Sequence, residues 1–367
     1  MLKQIEPQTY QLQAIDETML EEITQLYNNV FGKNVSPAFI DWKYFQTPDG
    51  DIYGTVAVRD GEIVSTHGLA TRRIKVLDEE VAAVEAVDAI TDKSARRQGL
   101  FVKLSHAAYE RMDEDEIVLG FCFPNPLAGN GFLNRLGWVT PGDIPRYIKI
   151  LDSRAMVAKS DNLRDWLKGA ARQSVLWMLR QSGRQSSWKG TVRPIERFDA
   201  RFDKLWQTVS ADFRIANVRT AAYLNYRYIE NPRRGGYVCF AAEKGGELIG
   251  YAVLSLHDAP TRAYLLELLV RPNCEAAGDA LLQAVTEAAR LSQSAQIQAW
   301  QLSHFPEQVA LLEANGFLHG EANWLPGDLR FGQLFLVRQH PDLDAPHNLD
   351  VTDLRNWYIS MGDHDYY

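Results

Sequence analysis

Residues 84–101 read VEAVDAITDKSARRQGLF, an alternating strand pattern followed by a short polar loop and the first residues of an apolar helix. This helix is predicted to begin at about Gly99, and its N-terminus carries unpaired backbone N–H groups and about half a positive elementary charge. Arg96 and Arg97 add two cations, and a glycine lets the backbone approach an anion closely. The loop therefore predicts a pyrophosphate site, although the same residues taken alone also fit a capped helix with solvated arginines.

The chain contains one domain pattern twice. An aromatic and basic helix end closed by proline is found at residues 42–48 (WKYFQTP) and again at residues 226–232 (YRYIENP). In both copies a tyrosine, a strand, a glycine-containing turn and a second strand follow, and the tyrosines Tyr53 and Tyr237 lie 184 residues apart. Solenoid repeats are only about 20–50 residues long, so this period indicates two copies of one domain.

Each copy reads as an α/β (mixed α+β) domain, in which a mostly antiparallel mixed sheet is flanked by helices. The predicted N-terminal domain covers residues 1–151 and closes on a strand from Arg146 to Leu151. The predicted C-terminal domain covers residues 194–340. Residues 152–193 are predicted to be a linker with a basic amphipathic helix near residues 162–180. Residues 341–367 are predicted to be an acidic, aromatic tail that docks on the body.

The composition excludes several classes of protein. Of the 367 residues, 23% are charged and 46% are hydrophobic, as in ordinary globular chains. No stretch is long and apolar enough to span a membrane, and no secretory signal is visible at the N-terminus. The net charge of −8 disfavours a nucleic-acid partner. The three widely spaced cysteines have no histidine at zinc-ligand spacing, which predicts no metal site and a cytoplasmic protein.

The sequence resembles the GNAT superfamily of acyl-CoA-dependent N-acetyltransferases. Their coenzyme A motif, Arg/Gln-x-x-Gly-x-Gly/Ala at a strand–loop–helix junction, corresponds here to residues 96–101, with Phe101 in place of the small final residue. The resemblance implies acetyl-CoA as a co-substrate and a backbone N–H near Asp88 to Ile90 that binds the thioester carbonyl. The implied coenzyme-binding residues are Ala89, Ile90, Thr91, Arg96, Arg97, Gln98, Gly99, Leu100, Phe101 and Asn125.

The second copy departs from this motif. Its corresponding residues 275–280 read EAAGDA, so that Glu275 stands where the first copy has Arg96, and Asp279 follows the glycine. Two carboxylates at a phosphate site would repel the ligand. We therefore expect only the first copy to bind acyl-CoA and the second copy to shape the acceptor cleft.

Two carboxylates on the coenzyme strand are candidates for the catalytic base. Glu85 is the first, because its apolar strand neighbours would raise its pKa towards neutrality and because several GNAT enzymes carry a glutamate at the matching place. Asp88 is the second, and strict alternation places it on the opposite face of the strand, together with Ala86. For Glu85, the competing interpretation is an exposed charge at the sheet edge or a structural carboxylate held by hydrogen bonds.

The family's usual general acid is missing. The position of its tyrosine is Leu133 here, which leaves Tyr109, Tyr147 or unaided departure of the thiolate as alternatives. Asn125 resembles the asparagine that contacts pantetheine in the family, and it also fits a helix N-cap before Pro126.

The leading interpretation is an N-acetyltransferase that acts on a primary amine of a small or sugar-linked acceptor, with an amino sugar of cell-surface polysaccharide synthesis as one candidate. A non-catalytic acyl-CoA-binding or scaffolding protein is the first alternative. A tRNA-dependent aminoacyltransferase is the second, and the coenzyme motif argues against it. The linker helix could contact a membrane or a partner enzyme, or brace the domains. Asp363 or Asp365 of the tail could bind a cationic amine, or the tail could dock without chemistry.

Overall fold

The computed structural model describes residues 9–152, 184–320 and 332–365. The chain divides into two compact units, here called the first unit (residues 1–142 with 334–354) and the second unit (residues 143–333 with 355–367). The linker helix predicted near residues 162–180 lies outside the described residues.

The first unit is a mixed sheet with helices on it. Its strands are β1 (Gln11–Ala14), β2 (Thr55–Arg59), β3 (Glu62–Val76), β4 (Glu79–Thr91), β5 (Leu119–Cys122), β6 (Val139–Ile144) and, from a later part of the chain, β15 (Gln333–Gln339). Its helices are α1 (Leu20–Phe31), α2 (Pro37–Phe45), α3 (Leu100–Glu114) and α4 (Pro126–Arg135). The strand order is β1-β2-β3-β4-β5-β15-β6, and β4 and β5 are parallel.

Sequence signals fix the local structure of the first unit. Gly32, in the left-handed region at φ 62°, ends α1, and proline occupies the first turn of both α2 and α4. Asp60 and Gly61 both have positive φ, which is the geometry of a tight type I′ hairpin between β2 and β3. One face of the sheet buries an apolar cluster with α3 and α4 that includes Leu69, Val84, Ala108, Tyr109, Phe132 and Trp138.

The second unit repeats this plan. Its strands are β7 (Arg146–Ile150), β8 (Thr191–Ile195), β9 (Ile215–Asn217), β10 (Tyr237–Lys244), β11 (Glu247–Ser255), β12 (Ala263–Val270), β13 (Gln296–Trp300), β14 (Leu318–His319) and β16 (Trp357–Tyr358). Its helices are α5 (Ala200–Val209), α6 (Ala221–Leu224), α7 (Glu275–Leu291) and α8 (Pro306–Ala314). The main sheet has the order β14-β7-β13-β12-β11-β10-β8 and buries α7 against one face. The predicted fold class is confirmed in both units.

The closing strands differ from the sequence expectation. The strand from Arg146 does not close the first copy, because β7 pairs with β13 in the sheet of the second unit, with Ile148 opposite Gln298. The first unit is closed instead by β15, whose Val337 lies opposite Phe121 of β5. Since β5 and β13 occupy equivalent places in the two copies, each closing strand finds the same kind of partner in either sheet. Local sequence pattern cannot distinguish these two pairings.

Candidate functional site

The predicted anion loop connects β4 to α3. Asp92 accepts a hydrogen bond from the Ser94 backbone N–H at 2.8 Å and so begins a short 3-10 turn. The backbone then turns through two left-handed residues, Arg97 at φ 64° and Gly99 at φ 72°, before Leu100 begins the helix. A Cβ built on Gly99 would meet nothing within 4 Å, so the backbone here faces open space.

The loop is anchored at its ends and exposed in its middle. Ala95 and Leu100 are buried, whereas Arg96, Arg97 and Gln98 are exposed. Two exposed arginines therefore come shortly before the first backbone N–H groups of α3. Backbone N–H groups at a helix N-terminus and arginine side chains are both groups that can bind a diphosphate.

Strand β4 separates from β5 just before the loop. The two strands pair only where Ala83–Glu85 faces Leu119–Phe121, and β5 ends at Cys122 while β4 continues to Thr91. Along its other edge, β4 carries a bulge, since the register with β3 shifts between Gly68, opposite Val87, and Thr66, opposite Ile90. The shift leaves one extra residue on β4. The resulting gap next to the loop is where the predicted backbone donors near Asp88 to Ile90 lie.

Glu85 is part of a buried ion pair. Its Oε2 accepts hydrogen bonds from Arg72 Nη2 at 2.7 Å and Nε at 3.1 Å, and the two side chains are 2% and 6% exposed. The sequence-based expectation of a carboxylate among apolar neighbours alone did not include this guanidinium. Removing one partner of such a buried pair costs about 3–5 kcal/mol, so Arg72 and Glu85 hold each other in place between β3 and β4.

Asp88 lies at the bulge and faces helix α2. Its φ is 47°, and its Oδ2 accepts hydrogen bonds from Lys43 Nζ at 2.7 Å and from the Tyr44 hydroxyl at 3.1 Å. Ala86, by contrast, packs against the cluster under α3 and α4. Strict alternation had placed Ala86 and Asp88 on one face, and the extra residue of the bulge overturns that expectation.

Lys43 and Tyr44 were not among the predicted site residues. Both belong to the segment 42–48, which recurs at residues 226–232. This recurrence was the sequence signal that could have identified Lys43 and Tyr44, because a segment repeated in both copies can contribute to the functional site as well as to the fold.

The remaining predicted residues fall into separate places. Asn125 caps α4, since its Oδ1 accepts from the backbone N–H groups of Leu127 at 3.0 Å and Ala128 at 2.9 Å. The Tyr109 hydroxyl is buried and accepts from Trp138 Nε1 at 2.8 Å, and burial raises its pKa strongly. Tyr147 lies in β7 of the second unit.

Phe101 closes the space between α3 and α4. A Cβ on Gly131 of α4 would lie 2.7 Å from Phe101 Cε1, so the glycine makes room for the larger ring. Next to this contact a groove of about 360 Å³ is lined by Phe101, Leu127, Asn130, Gly131, Asn134 and Arg135. Leu127 is 87% exposed at its rim. The groove offers an apolar surface, two amides and a cation near the loop.

Two family models match the chain, one described as "Acetyltransferase (GNAT) domain" over residues 11–140 and the other as "Acetyltransferase (GNAT) family" over residues 202–317. Each match falls on one copy of the repeat, and together they cover more than half of the sequence. The chain belongs to the GNAT family, with two GNAT domains in tandem. It is an acyltransferase, and the family supports acyl-CoA-dependent transfer to an amine.

Solved structures share the fold of this tandem GNAT protein over most of its length. A GCN5-related N-acetyltransferase from Kribbella flavida is 18% identical, with 91% of this chain and 71% of that chain covered and a TM-score of 0.59. A probable N-acyltransferase from Enterococcus faecalis is 10% identical, with coverage of 90% and 73% and a TM-score of 0.63. Saccharomyces cerevisiae N-myristoyltransferase with bound myristoyl-CoA is 13% identical, with coverage of 92% and 83% and a TM-score of 0.57.

Curated proteins yield no significant match to the tandem GNAT sequence. Within the part of the chain that the structure describes, no helix has the length and apolar character needed to cross a membrane.

The second GNAT domain has a different loop at the equivalent place. Only residues 271–274 connect β12 to α7, compared with residues 92–99 in the first domain. Residues 275–280 were predicted to be a loop motif, but α7 already begins at Glu275, so Gly278 is inside the helix and packs against Leu311. Asp279 is buried and accepts from Asn315 Nδ2 at 2.7 Å, so it joins α7 to the end of α8 and does not face a phosphate site.

The tail of the tandem GNAT protein packs into its second unit. Strand β16 pairs with β9, and the Tyr358 ring stacks on Phe213 at 4.0 Å. Asp363 caps the turn that begins at Ser360 and accepts two hydrogen bonds from Arg219 Nη2 at 2.9 Å. The Asp363 carboxylate is therefore bound internally. Asp365, the other predicted amine-binding carboxylate, lies 3.2 Å from the imidazole Nδ1 of its neighbour His364.

His67 of the first unit is a buried titratable group behind Phe101. Its ring is 0% exposed, it lies 5.7 Å from the Phe101 ring and 6.0 Å from the Phe132 ring, and no described residue bonds to either nitrogen. Burial lowers the pKa of His67 from 6.5 to about 4. The imidazole of His67 is therefore neutral near pH 7 and packs among aromatic rings at this position.

His67 is expected to make the first unit sensitive to acid. The unfolded chain binds this proton near pH 6.5 and the folded chain only near pH 4. Stability should therefore be complete above about pH 6.5 and fall, by up to about 3 kcal/mol from this group, as the pH decreases towards 4. Urea unfolding at several pH values should show this loss in the wild type and a smaller loss in His67→Phe. The exposed His106→Ala variant is the control, and equal pH slopes in wild type and His67→Phe would contradict the assignment.

Proposed function

We propose that the first unit is an acetyl-CoA-dependent N-acetyltransferase. The loop with Gly99 in the left-handed region, at the N-terminus of α3 and next to the separation of β4 from β5, carries this proposal. In this proposal, the first backbone N–H groups of α3 and the side chains of Arg96 and Arg97 bind the diphosphate of the coenzyme. The pantetheine then follows β4 along Ala89 to Thr91.

The groove beside Phe101 supports a place for the other end of the coenzyme. Leu127 offers an apolar surface for the adenine, and Arg135 offers a cation for the 3′-phosphate. Asn125 keeps its side-chain N–H₂ group available after capping α4 through its oxygen, and this group is the donor that we assign to pantetheine.

Asp88 is the base that the geometry favours over Glu85. It lies at the bulge, directly before the exposed Ala89 and beyond the point where β4 separates from β5, whereas Glu85 lies where the two strands still pair. In the proposed step the acceptor ammonium gives one proton to Asp88, and its nitrogen then bonds to the thioester carbon. The carbonyl oxygen binds backbone N–H groups of the bulge while charge develops on it.

The C–S bond then breaks, and its electron pair stays on sulfur. A free thiol has a pKa near 8.5, so the thiolate is a fair leaving group without a tyrosine at Leu133. The second proton of the nitrogen goes to the thiolate, and Asp88 returns its proton to solvent. The products are the N-acetylated acceptor, coenzyme A and one proton.

The second unit is proposed to bind no coenzyme. Its short loop lacks a left-handed glycine before α7, and segment 184–188 lies on the same helix end, where the Ser186 hydroxyl donates to the Ala276 carbonyl at 2.6 Å. A role in shaping the acceptor cleft remains our proposal for this domain. We further propose a small or sugar-linked primary amine as the acceptor, amino sugars included. The free thiols of Cys122, Cys239 and Cys274 fit a reducing cytoplasm.

Calorimetric titration with acetyl-CoA tests the proposal, followed by measurement of coenzyme A release with a panel of amines and amino sugars. We expect one binding site per chain and amine-dependent release. Tighter binding of myristoyl-CoA would assign a longer acyl group. Binding without release across the panel would favour the non-catalytic acyl-CoA-binding alternative, and no binding would overturn the proposal.

A further inference from the structure

Each unit contains a tyrosine that bonds to a carboxylate on the middle strand of its sheet. In the first unit, the Tyr44 hydroxyl donates to Asp88 Oδ2 at 3.1 Å. In the second unit, the Tyr228 hydroxyl donates to Glu267 Oε1 at 3.2 Å. Both tyrosines are the third residue of the repeated helix-end segment. The repeat therefore contains a tyrosine–carboxylate pair that joins a helical segment to the sheet.

The two carboxylates occupy equivalent places on their strands. Asp88 lies three residues before the end of β4 at Thr91, and Glu267 lies three residues before the end of β12 at Val270. Each stands beside a register shift, of β4 with β3 and of β12 with β11. The pair is therefore a property of the repeated fold, although its carboxylate is an aspartate in one copy and a glutamate in the other.

Burial fixes the position of the Tyr44 hydroxyl. The residue belongs to α2, is 0% exposed and packs against Phe45, with 6.3 Å between the ring centroids. A tyrosine has only two side-chain torsions, so a fixed ring also fixes its oxygen. The Asp88 carboxylate, by contrast, turns about a terminal torsion with broad minima. The bond from Tyr44 therefore supplies an orientation that the rotamer of Asp88 does not supply.

Two donors from α2 reach the same oxygen of Asp88. Lys43 Nζ lies 2.7 Å from Oδ2 and the Tyr44 oxygen lies 3.1 Å from it. The ammonium contributes charge from a flexible four-carbon stem, whereas the tyrosine contributes direction from a rigid ring. A general base must lie within hydrogen-bond reach of the proton that it takes, so the direction of this carboxylate affects the rate of transfer.

We propose that Tyr44 is a positioning residue of the first unit, which acts through Asp88 by orienting this carboxylate towards the acceptor nitrogen. The inference rests on the proposed function and deepens it. A misplacement of about 1 Å can lower a rate by about a hundredfold, and a positioned general base contributes about 10²–10⁴-fold. In the second unit the equivalent bond belongs to the buried network of Arg219 and Glu267, where we assign it a structural role.

Tyr44→Phe tests the proposal, because it removes only the hydroxyl and keeps the buried ring. We expect acetyl-CoA binding within twofold of wild type, a KM for the amine within threefold, and a kcat lowered at least tenfold. Isothermal titration calorimetry measures the binding. Coenzyme A release, followed with a thiol reagent, measures turnover with glucosamine as the probe amine, or with the fastest amine of the panel if glucosamine is not acetylated.

The matched control is Tyr228→Phe, which removes the equivalent hydroxyl from the second unit and should leave kcat within twofold of wild type. A double-variant cycle separates positioning from a general loss of structure. Asp88→Asn alone should lower kcat at least a hundredfold. Adding Tyr44→Phe to Asp88→Asn should lower kcat by no more than about twofold further, because the tyrosine acts only through the carboxylate.

The outcomes distinguish this inference from the proposed function. Wild-type kcat in Tyr44→Phe, an equal loss in Tyr228→Phe, or a loss that persists in the Asp88→Asn background would overturn the role of Tyr44 alone. Weakened acetyl-CoA binding in Tyr44→Phe would mean that the hydroxyl supports the fold, and would overturn it too. Unchanged kcat in Asp88→Asn would overturn the assignment of the base. A wild type that binds no acetyl-CoA, or releases no coenzyme A with any amine, would overturn the proposed function as well.

Discussion

Gly99→Glu is expected to abolish acetyl-CoA binding while the first unit stays folded. Gly99 has a φ of 72°, and a Cβ built on it meets no atom within 4 Å. A glutamate side chain there would therefore extend into the space proposed for the diphosphate. Two like charges about 4 Å apart cost about 4 kcal/mol at an effective dielectric constant near 20. That cost corresponds to an increase of about a thousandfold in Kd, which isothermal titration calorimetry would register as lost binding.

Two matched variants separate charge from backbone strain. Gly99→Ala carries the same left-handed strain, about 1–2 kcal/mol, without the charge, so its Kd should stay within about tenfold of wild type. Gly61→Glu places the same charge at another left-handed glycine of the first unit, in the hairpin at φ 85° with nothing within 4 Å, and should bind normally. Wild-type affinity in Gly99→Glu would place the coenzyme elsewhere.

The loop and the two domains could be predicted because they depend on local signals. Gly99 marks a left-handed residue before α3, and the glycines of the two hairpins at Gly61 and Gly245 mark tight turns in both copies. These are single-residue requirements of the backbone, and they can be read wherever they stand in the sequence. Asn125 before Pro126 predicted a helix start in the same way, and the structure shows this cap.

Features that depend on partners distant in sequence were not predictable. Arg72 pairs with Glu85 because the antiparallel register of β3 and β4 places them near each other, and no pattern around Glu85 indicates this. The extra residue at Asp88 turned a carboxylate towards α2, which alternation alone had assigned to the other face. The pairing of β7 with β13 was not predictable for a similar reason, since the repeat contains two equivalent partner strands, β5 and β13.

In the second domain, the sequence analysis placed the equivalent of the coenzyme motif at the wrong residues. The alignment of residues 275–280 with residues 96–101 followed the glycine, but the loop before α7 is half as long as the loop before α3. Gly278 is kept for helix packing against Leu311, and a sequence comparison cannot distinguish that use from a phosphate loop. Our proposal that this domain binds no coenzyme therefore rests on loop length more than on the acidic residues that first suggested it.

Arg219→Met is expected to destabilise the second unit by about 3–5 kcal/mol, because it leaves two buried carboxylates facing each other without their cation. Arg219 is 0% exposed, lies 2.9 Å from both Glu267 and Asp363, and packs over the rings of Trp206 and Tyr358 at 5.7 and 5.1 Å. Burial already raises the pKa of Glu267 in the wild type, where Arg219 opposes that shift. Urea unfolding followed by tryptophan fluorescence would measure the loss.

Two control variants test the prediction for Arg219: one breaks an exposed ion pair of the same length, and the other also replaces the two buried carboxylates by amides. Arg271 and Glu247 are also 2.9 Å apart but 30% and 68% exposed, so Arg271→Met should cost at most about 1 kcal/mol. Adding Glu267→Gln and Asp363→Asn to Arg219→Met removes the unpaired charges and should recover most of the stability. The deficit of the single variant should also shrink as the pH falls, because the raised pKa of Glu267 lets this carboxylate take up a proton and lose its charge. A deficit that is unaffected by pH and by these neutral replacements would mean that Arg219 acts through packing over the aromatic rings, and that the tail is held by contacts other than its charge.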